Sequence, residues 1–291
     1  MWKTSRIADI SAWVDERHRR GKRVGLVPTL GYLHEGHLSH VKALLSWVDE
    51  VVLSVFVNPL QFGPGEDFSR YPRDLARDAR LAEQAGVAAL FAPDVDEMYP
   101  TPAETTVEVT SLSAILEGAI RPTHLQGVAT VVTKLFNIVR PDVASFGQKD
   151  LQQLLVVRRL VQDLNLPVSI VAVPTVREPD GLAMSSRNSY LDPDERTVAG
   201  RLYQALQEGL ATLRRGQRDP FRVERAMADV LTDVPGLSPQ YVTVRSLPTL
   251  TAPEVAEGRL ALLIAARLAH ARLLDNVAVE VRDDDVEEIV P

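Results

Sequence analysis

Two histidines three residues apart, His34 and His37, lie in the segment Pro28-Thr29-Leu30-Gly31-Tyr32-Leu33-His34-Glu35-Gly36-His37. The segment reads as a turn into a helix that begins near Gly36, and at such a helix end backbone N–H groups and imidazole donors can converge on phosphate oxygens. A purely structural histidine is the ordinary alternative, but a pair flanking a glycine at this point favours function. Asn58-Pro59-Leu60-Gln61 places two neutral amides together, with donors and acceptors suited to a polar organic substrate. Asn58 before Pro59 also fits an Asx turn, a reading that does not extend to Gln61. Gly63-Pro64-Gly65-Glu66-Asp67 follows as a candidate mobile loop. In Gly147-Gln148-Lys149-Asp150, with Gln152 and Gln153 opening the next helix, the helix dipole opposes a lysine, which calls for an anion unless Asp150 offsets the charge. Val176 precedes the last of these segments, Met184-Ser185-Ser186-Arg187, where two hydroxyls beside a guanidinium form a compact anion-binding set.

Strands and helices that alternate would position all four segments. Arg23 to Val27, Val51 to Val57, Val87 to Phe91, Val143 to Phe146 and Val168 to Val173 read as buried strands. Leu38 to Val48, Leu75 to Ala85, Val128 to Val139 and Leu151 to Leu164 carry apolar residues at helical spacing, after an opening helix marked by Ile7, Ile10, Trp13 and Val14. This alternation predicts an α/β domain with a parallel sheet, and in an open parallel sheet ligands bind beyond the carboxyl ends of the strands. The texture changes near Val176 to Asp180, dividing the chain into residues 1–176 and 177–291. In the second part Asp192 to Arg215 reads as one long amphipathic helix and Phe221 to Leu231 as another. Gln240 to Ser246 and Leu260 to Arg267 read as strands of a smaller α+β domain, and Arg282 to Glu288 as an acidic end with little to bury.

Composition narrows the chemistry. Across 291 residues, 32 Lys and Arg stand against 39 Asp and Glu, so the net charge of -7 provides no overall basic field for nucleic acid or an anionic membrane. Having no cysteine removes disulfides, thiolate metal sites and cysteine nucleophiles. The charged opening residues and the short apolar run from Leu260 to Ala266 predict a cytoplasmic protein without a membrane span. The sequence holds neither a G-x-x-x-x-G-K-[ST] phosphate loop nor a G-x-G-x-x-G dinucleotide turn.

Taken together, VPTLGYLHEGH, SVFVNPLQF, LEGAIRPTHLQGVATVVTKLFNIVRPD, FGQKDLQQ, DGLAMSSRNSYL and ARLLDN resemble the pantothenate synthetase family, ligases that use ATP to join pantoate to β-alanine. The resemblance implies a Rossmann-like nucleotidyltransferase domain, with a smaller C-terminal domain closing over the site. It implies that ATP is held by Leu30, Gly31, Tyr32, Leu33, His34, Glu35, Gly36 and His37, by Gly147, Gln148, Lys149 and Asp150, and by Val176, Met184, Ser185, Ser186 and Arg187. His37 takes the place of the family's proton donor, with His34, Lys149 and Arg187 beside it as catalytic groups and Mg²⁺ as companion ion. Gln61 and Gln153 match pantoate-binding glutamines, Gln61 also lies near β-alanine, and Asn58 joins the substrate set. A homodimer is implied as well. The sequence departs from the family at Leu30, Tyr32 and Gln148, where Met, a smaller or amide residue, and Glu are usual. Without the resemblance, the residues reach only to nucleotidyl transfer with an unassigned acceptor. Other readings are a hydrolase with a metal on His34, His37 and His40, and a nucleotide-binding regulator without chemistry.

Overall fold

Valine-rich runs become strands here because β-branched side chains pack well on a pleated surface, and a parallel sheet with helices on its faces buries them twice. The computed structural model describes residues 1–100, 103–283 and 285–291. Its strands β1 (Trp2–Thr4), β2 (Val24–Thr29), β3 (Glu50–Val55), β4 (Ala89–Phe91), β5 (Val143–Gly147) and β6 (Ser169–Val173) form one sheet in the order β1-β4-β3-β2-β5-β6. Neighbouring strands pair in parallel throughout. The helices Glu35–Leu44, Leu75–Gln84, His124–Val139 and Leu151–Asp163 alternate with these strands. Leu26, Leu44, Leu53 and Phe91 are fully enclosed, and Leu90 and Leu135 nearly so.

From β2 the chain runs outward to β3 and β4 on one side, and β5 and β6 lie on the other. The strand order therefore switches between β2 and β5. At such a point the loops leaving adjacent strands diverge and open a crevice at the strand ends, here at Thr29 and Gly147.

The chain divides into two compact units, residues 1–147 with 152–173, and residues 148–151 with 174–291. The second unit is α+β. Strands β7 (Ser238–Ser246), β8 (Gly258–Arg267), β9 (Arg272–Arg282) and β10 (Asp285–Ile289) pair antiparallel in the order β10-β9-β8-β7. Leu206, Leu210 and Met227 from its helices pack with Leu262, Ile264 and Val279 from the sheet. No helix among the described residues is long and apolar enough to cross a membrane.

Several boundaries differ from the sequence reading. The division falls at Val173/Pro174, ahead of the expected stretch, and the four residues 148–151 go with the second unit. The long helix divides into Pro193–Ala199 and Arg201–Arg214 at Gly200, glycine being the poorest helix former after proline. The acidic end is not loose: Asp285–Ile289 is a strand paired with β9, and it buries Val286. Asp284, within that acidic run, lies outside the described residues. β1 and β9 have no counterpart in the sequence reading. β1 is only three residues long, and in β9 the charge of Asp275 interrupts an otherwise alternating apolar pattern.

Candidate active site

The loop leaving β2 turns sharply at Gly31 (φ 87°), where an added Cβ would lie 2.8 Å from Val55 Cγ1. Tyr32 follows with φ 54°, a left-handed conformation that costs a bulky residue energy unless the surroundings enforce it. Asp78, on the helix Leu75–Gln84, enforces it. Its carboxylate accepts the N–H groups of Tyr32 and Leu33, both at 2.8 Å, and is 1% exposed. Burial pushes the Asp78 carboxyl above its ordinary range, against the pull of those two N–H donors. Thr29 Oγ1 completes the turn by donating to the Ser54 carbonyl and accepting from Gly31 N–H.

The two histidines cap the helix Glu35–Leu44 with their own rings. His34 Nδ1 accepts from Gly36 N–H at 3.1 Å, His37 Nδ1 accepts from His34 N–H at 3.3 Å, and the ring centroids lie 4.0 Å apart. A neutral imidazole that accepts at Nδ1 carries its proton on Nε2, so the cap fixes both tautomers and makes each Nε2 a donor. Most backbone N–H groups of the segment are engaged within the protein. The N–H groups of Gly31, Tyr32, Leu33, His34, Gly36 and His37 are all bonded within the protein, the last to His34 O. Leu33 has its side chain fully in the core and shapes the turn, and Glu35 is exposed, 3.8 Å from Lys42.

Beyond β3, Asn58 is 1% exposed and has all four of its amide bonds taken. Its Oδ1 accepts from Tyr99 OH and Leu60 N–H, and its Nδ2 donates to Gln61 Oε1 and to the Gly127 carbonyl. Asn58 thus orients Gln61, and all of its amide bonds are made within the protein in the absence of ligand. Gly127 permits this packing, since a Cβ there would meet Leu60 O at 2.3 Å. The Gln61 carbonyl accepts from Arg121 Nη2 and His124 Nδ1. Arg121 also grips Glu66 through two bonds of 2.7 and 2.6 Å, tying the Gly63–Asp67 loop to the same place. Burial raises the Glu66 carboxyl, but the hydrogen bonds and charge of Arg121 outweigh it and hold the group below the usual carboxylate range. Of the two adjacent glutamines, Gln152 is structural, bonded to Glu117 N–H and to the Leu112 and Ile115 carbonyls, whereas Gln153 is half-buried.

In the second unit, Lys149 Nζ lies 3.4 Å from Asp150 Oδ1, so Asp150 partly offsets the lysine against the helix dipole. Gln148 is buried beside it. Met184 N–H donates to the Val176 carbonyl, Arg177 and Ala183 form a bridge, and Ser185 Oγ accepts from Arg187 N–H, which together shape the Met184–Arg187 segment. Ser186 is buried. The trio His34, His37 and His40 does not form a metal cage: two rings cap a helix through Nδ1, and His40 Nδ1 bonds Ser145 Oγ. Among the described residues, the group close enough to share an ion is Asp192, Glu195 and His270. There Glu195 already accepts from Asp192 N–H, His270 N–H and His270 Nδ1.

Asp78, Arg121 and Gly127 escaped the sequence reading. Asp78 had a usable signal, because a charge on the same buried helix face as Ala79 and Ala82 requires a partner.

The parallel sheet with its switch-point loop, together with a separate antiparallel unit, is the fold of an ATP-using ligase. The chain belongs to the pantoate–β-alanine ligase family, whose model matches residues 3–278. Pantothenate synthetase of Moorella thermoacetica is 52% identical over 277 residues, covering 95% of this chain and 98% of its own. The Rhizobium meliloti pantothenate synthetase is 50% identical, with 94% of each chain covered. The crystal structure of pantothenate synthetase from Thermus thermophilus superposes with a TM-score of 0.91 at 48% identity, over 95% of this chain and 98% of that one. Pantoate-β-alanine ligase from Francisella tularensis, complexed with β-γ ATP and β-alanine, gives a TM-score of 0.78 at 30% identity, with 95% and 97% covered.

Replacing Asp78 with Ala leaves two buried N–H groups without a partner, and the expected loss of stability in urea denaturation is about 1–3 kcal/mol for each. A midpoint unchanged from wild type would show that the turn holds itself. The Arg121–Glu66 latch is sensitive to acid. A depressed carboxyl contributes above its ordinary value and loses that contribution as pH falls through the lowered one. Hydrogen exchange in residues 63–67 should therefore quicken in acid, beyond the intrinsic pH effect, in the wild type and stay fast throughout in Glu66→Gln; equal protection of the two at neutral pH would contradict the latch.

Proposed function

We infer that the protein condenses pantoate with β-alanine at the expense of ATP, giving pantothenate, AMP and pyrophosphate through pantoyl adenylate. The observation that carries this is the family match over residues 3–278, joined by the self-capped His34–His37 pair at the end of β2. A carboxylate resists attack by an amine because its charge repels the nucleophile and oxide is a poor leaving group. Transfer to the α-phosphate of ATP solves both problems. The pantoate oxygen attacks phosphorus, the bond to the bridging oxygen of pyrophosphate breaks, and AMP then becomes the leaving group when the amine adds to the carbonyl.

Charge grows on the phosphate oxygens in the first step, and preorganised donors stabilise it without having to reorient. In this reading His34 and His37 donate from Nε2, Lys149 and Arg187 supply full positive charge, and Ser185 and Ser186 fill further acceptors. Gln61, held by Asn58, binds the hydroxy acid and lies near β-alanine, and Gln153 joins it on the acid. A buried, hydrogen-bonded amide pair suits a small polar acid better than a nucleotide acceptor. Mg²⁺ fits as a companion of the triphosphate, because it prefers phosphate oxygens and one or two carboxylates to an all-protein cage. Asp150, exposed and 3.4 Å from Lys149, is a carboxylate of the expected ATP segment that would stand near such an ion; the ion would neutralise phosphate charge. The resemblance also supports a homodimer in the cytoplasm.

With all three substrates, pantothenate, AMP and pyrophosphate should appear in equal amounts; ADP and inorganic phosphate in their place would contradict adenylation. In the same assay, Lys149→Ala or His37→Ala should lower turnover by about 10²-fold or more, the scale of losing one preorganised transition-state donor.

A further inference from the structure

Asn276 lies on β9 and is 2% exposed, far in sequence from the Gln148–Asp150 turn. Its Nδ2 nevertheless donates to the carbonyls of both Gln148 and Lys149, at 2.9 and 2.8 Å. The amide's orientation is dictated, since the reverse placement would set its oxygen against two other acceptors. Oδ1 is left buried without a hydrogen-bond partner, an arrangement that native proteins rarely tolerate without a reason.

A buried ion pair holds Asn276 from behind. Asp275, 3% exposed, accepts from Asn276 N–H at 2.7 Å and takes Arg177 through two bonds of 2.6 and 3.0 Å. Burial pushes the Asp275 carboxyl up, and the Arg177 guanidinium and Asn276 N–H pull it back. Arg177 also donates to the Gly181 carbonyl, and its guanidinium lies 3.9 Å above the Tyr203 ring. Gly181 belongs to the loop that delivers Met184–Arg187. One carboxylate therefore anchors both segments of this unit that were singled out for anion binding.

We propose that Asn276, backed by the Asp275–Arg177 pair, is a positioning residue that sets the Lys149 turn for the nucleotide's phosphates. In a trans peptide, C=O and N–H point in opposite directions, so fixing the Gln148 carbonyl fixes the plane of the peptide from which Lys149 springs. The proposal rests on Lys149 serving ATP, as inferred above. It assigns the carboxamide to ATP affinity and adenylation, and not to pantoate or β-alanine.

Steady-state kinetics on purified Asn276→Ala, varying each substrate in turn, test it. The expected result is a rise in KM for ATP or a fall in kcat of about ten-fold or more, the scale of displacing a reacting group by a fraction of an ångström, while the KM values for pantoate and β-alanine stay within about two-fold. Lys149→Ala is assayed in parallel. Near-normal ATP kinetics in Asn276→Ala, with Lys149→Ala impaired, would overturn the proposal alone; both variants near normal would overturn the nucleotide reading and this proposal with it. A parallel rise in all three KM values would reduce Asn276 to a general structural role and also overturn the proposal. Should Asn276→Ala fail to fold, Asn276→Ser retains one donor and carries the same test, with a smaller shift confined to ATP.

Discussion

Two buried carboxylates hold the loops on which everything else depends. Asp78 grips the peptide N–H groups of Tyr32 and Leu33, and Asp275 grips Arg177 and the N–H of Asn276. Burying a charge is costly unless it is paired and hydrogen-bonded, and both acids meet that condition by binding backbone or guanidinium groups that would otherwise be left without partners. Each acid stands on a regular element, a helix in one unit and β9 in the other, so a rigid scaffold transmits its position to a loop. Loops alone would not hold donors within the tolerance that transition-state stabilisation needs.

The histidine pair shows how a helix cap fixes the state of the side chains that make it. A helix start leaves N–H groups unpaired, and serine or threonine with glutamate usually meets them. Here both acceptors are imidazole Nδ1 atoms, and meeting them sets the tautomer at the opposite nitrogen. The Asn58 amide works on the same principle: its four bonds to Tyr99, Leu60, Gln61 and Gly127 make it a fixed support for its neighbour.

Much of this was legible in the sequence. Valine-rich runs and helical spacing predict the parallel sheet, which the strand order bears out. What a single chain could not reveal were partners supplied from far away. Asn58 was readable as an amide, but its saturation depends on Tyr99 and Gly127, 41 and 69 residues further on. Lys149 looked in conflict with the helix dipole, and its offset by Asp150 was one of the two outcomes the sequence left open. The period-two burial of Leu273, Asp275, Val277, Val279 and Val281 was present as a pattern, yet the acid at its second position hid a strand. A charge inside an alternating apolar run was, in retrospect, the signal of a buried anchor.

The central claim is that the acid is activated as an adenylate before any amine is involved. Pantoate-dependent exchange of labelled pyrophosphate into ATP, with Mg²⁺ present and β-alanine omitted, isolates that step. The account predicts exchange that requires pantoate. Folded protein that binds ATP and pantoate but shows no exchange until β-alanine is added would contradict it.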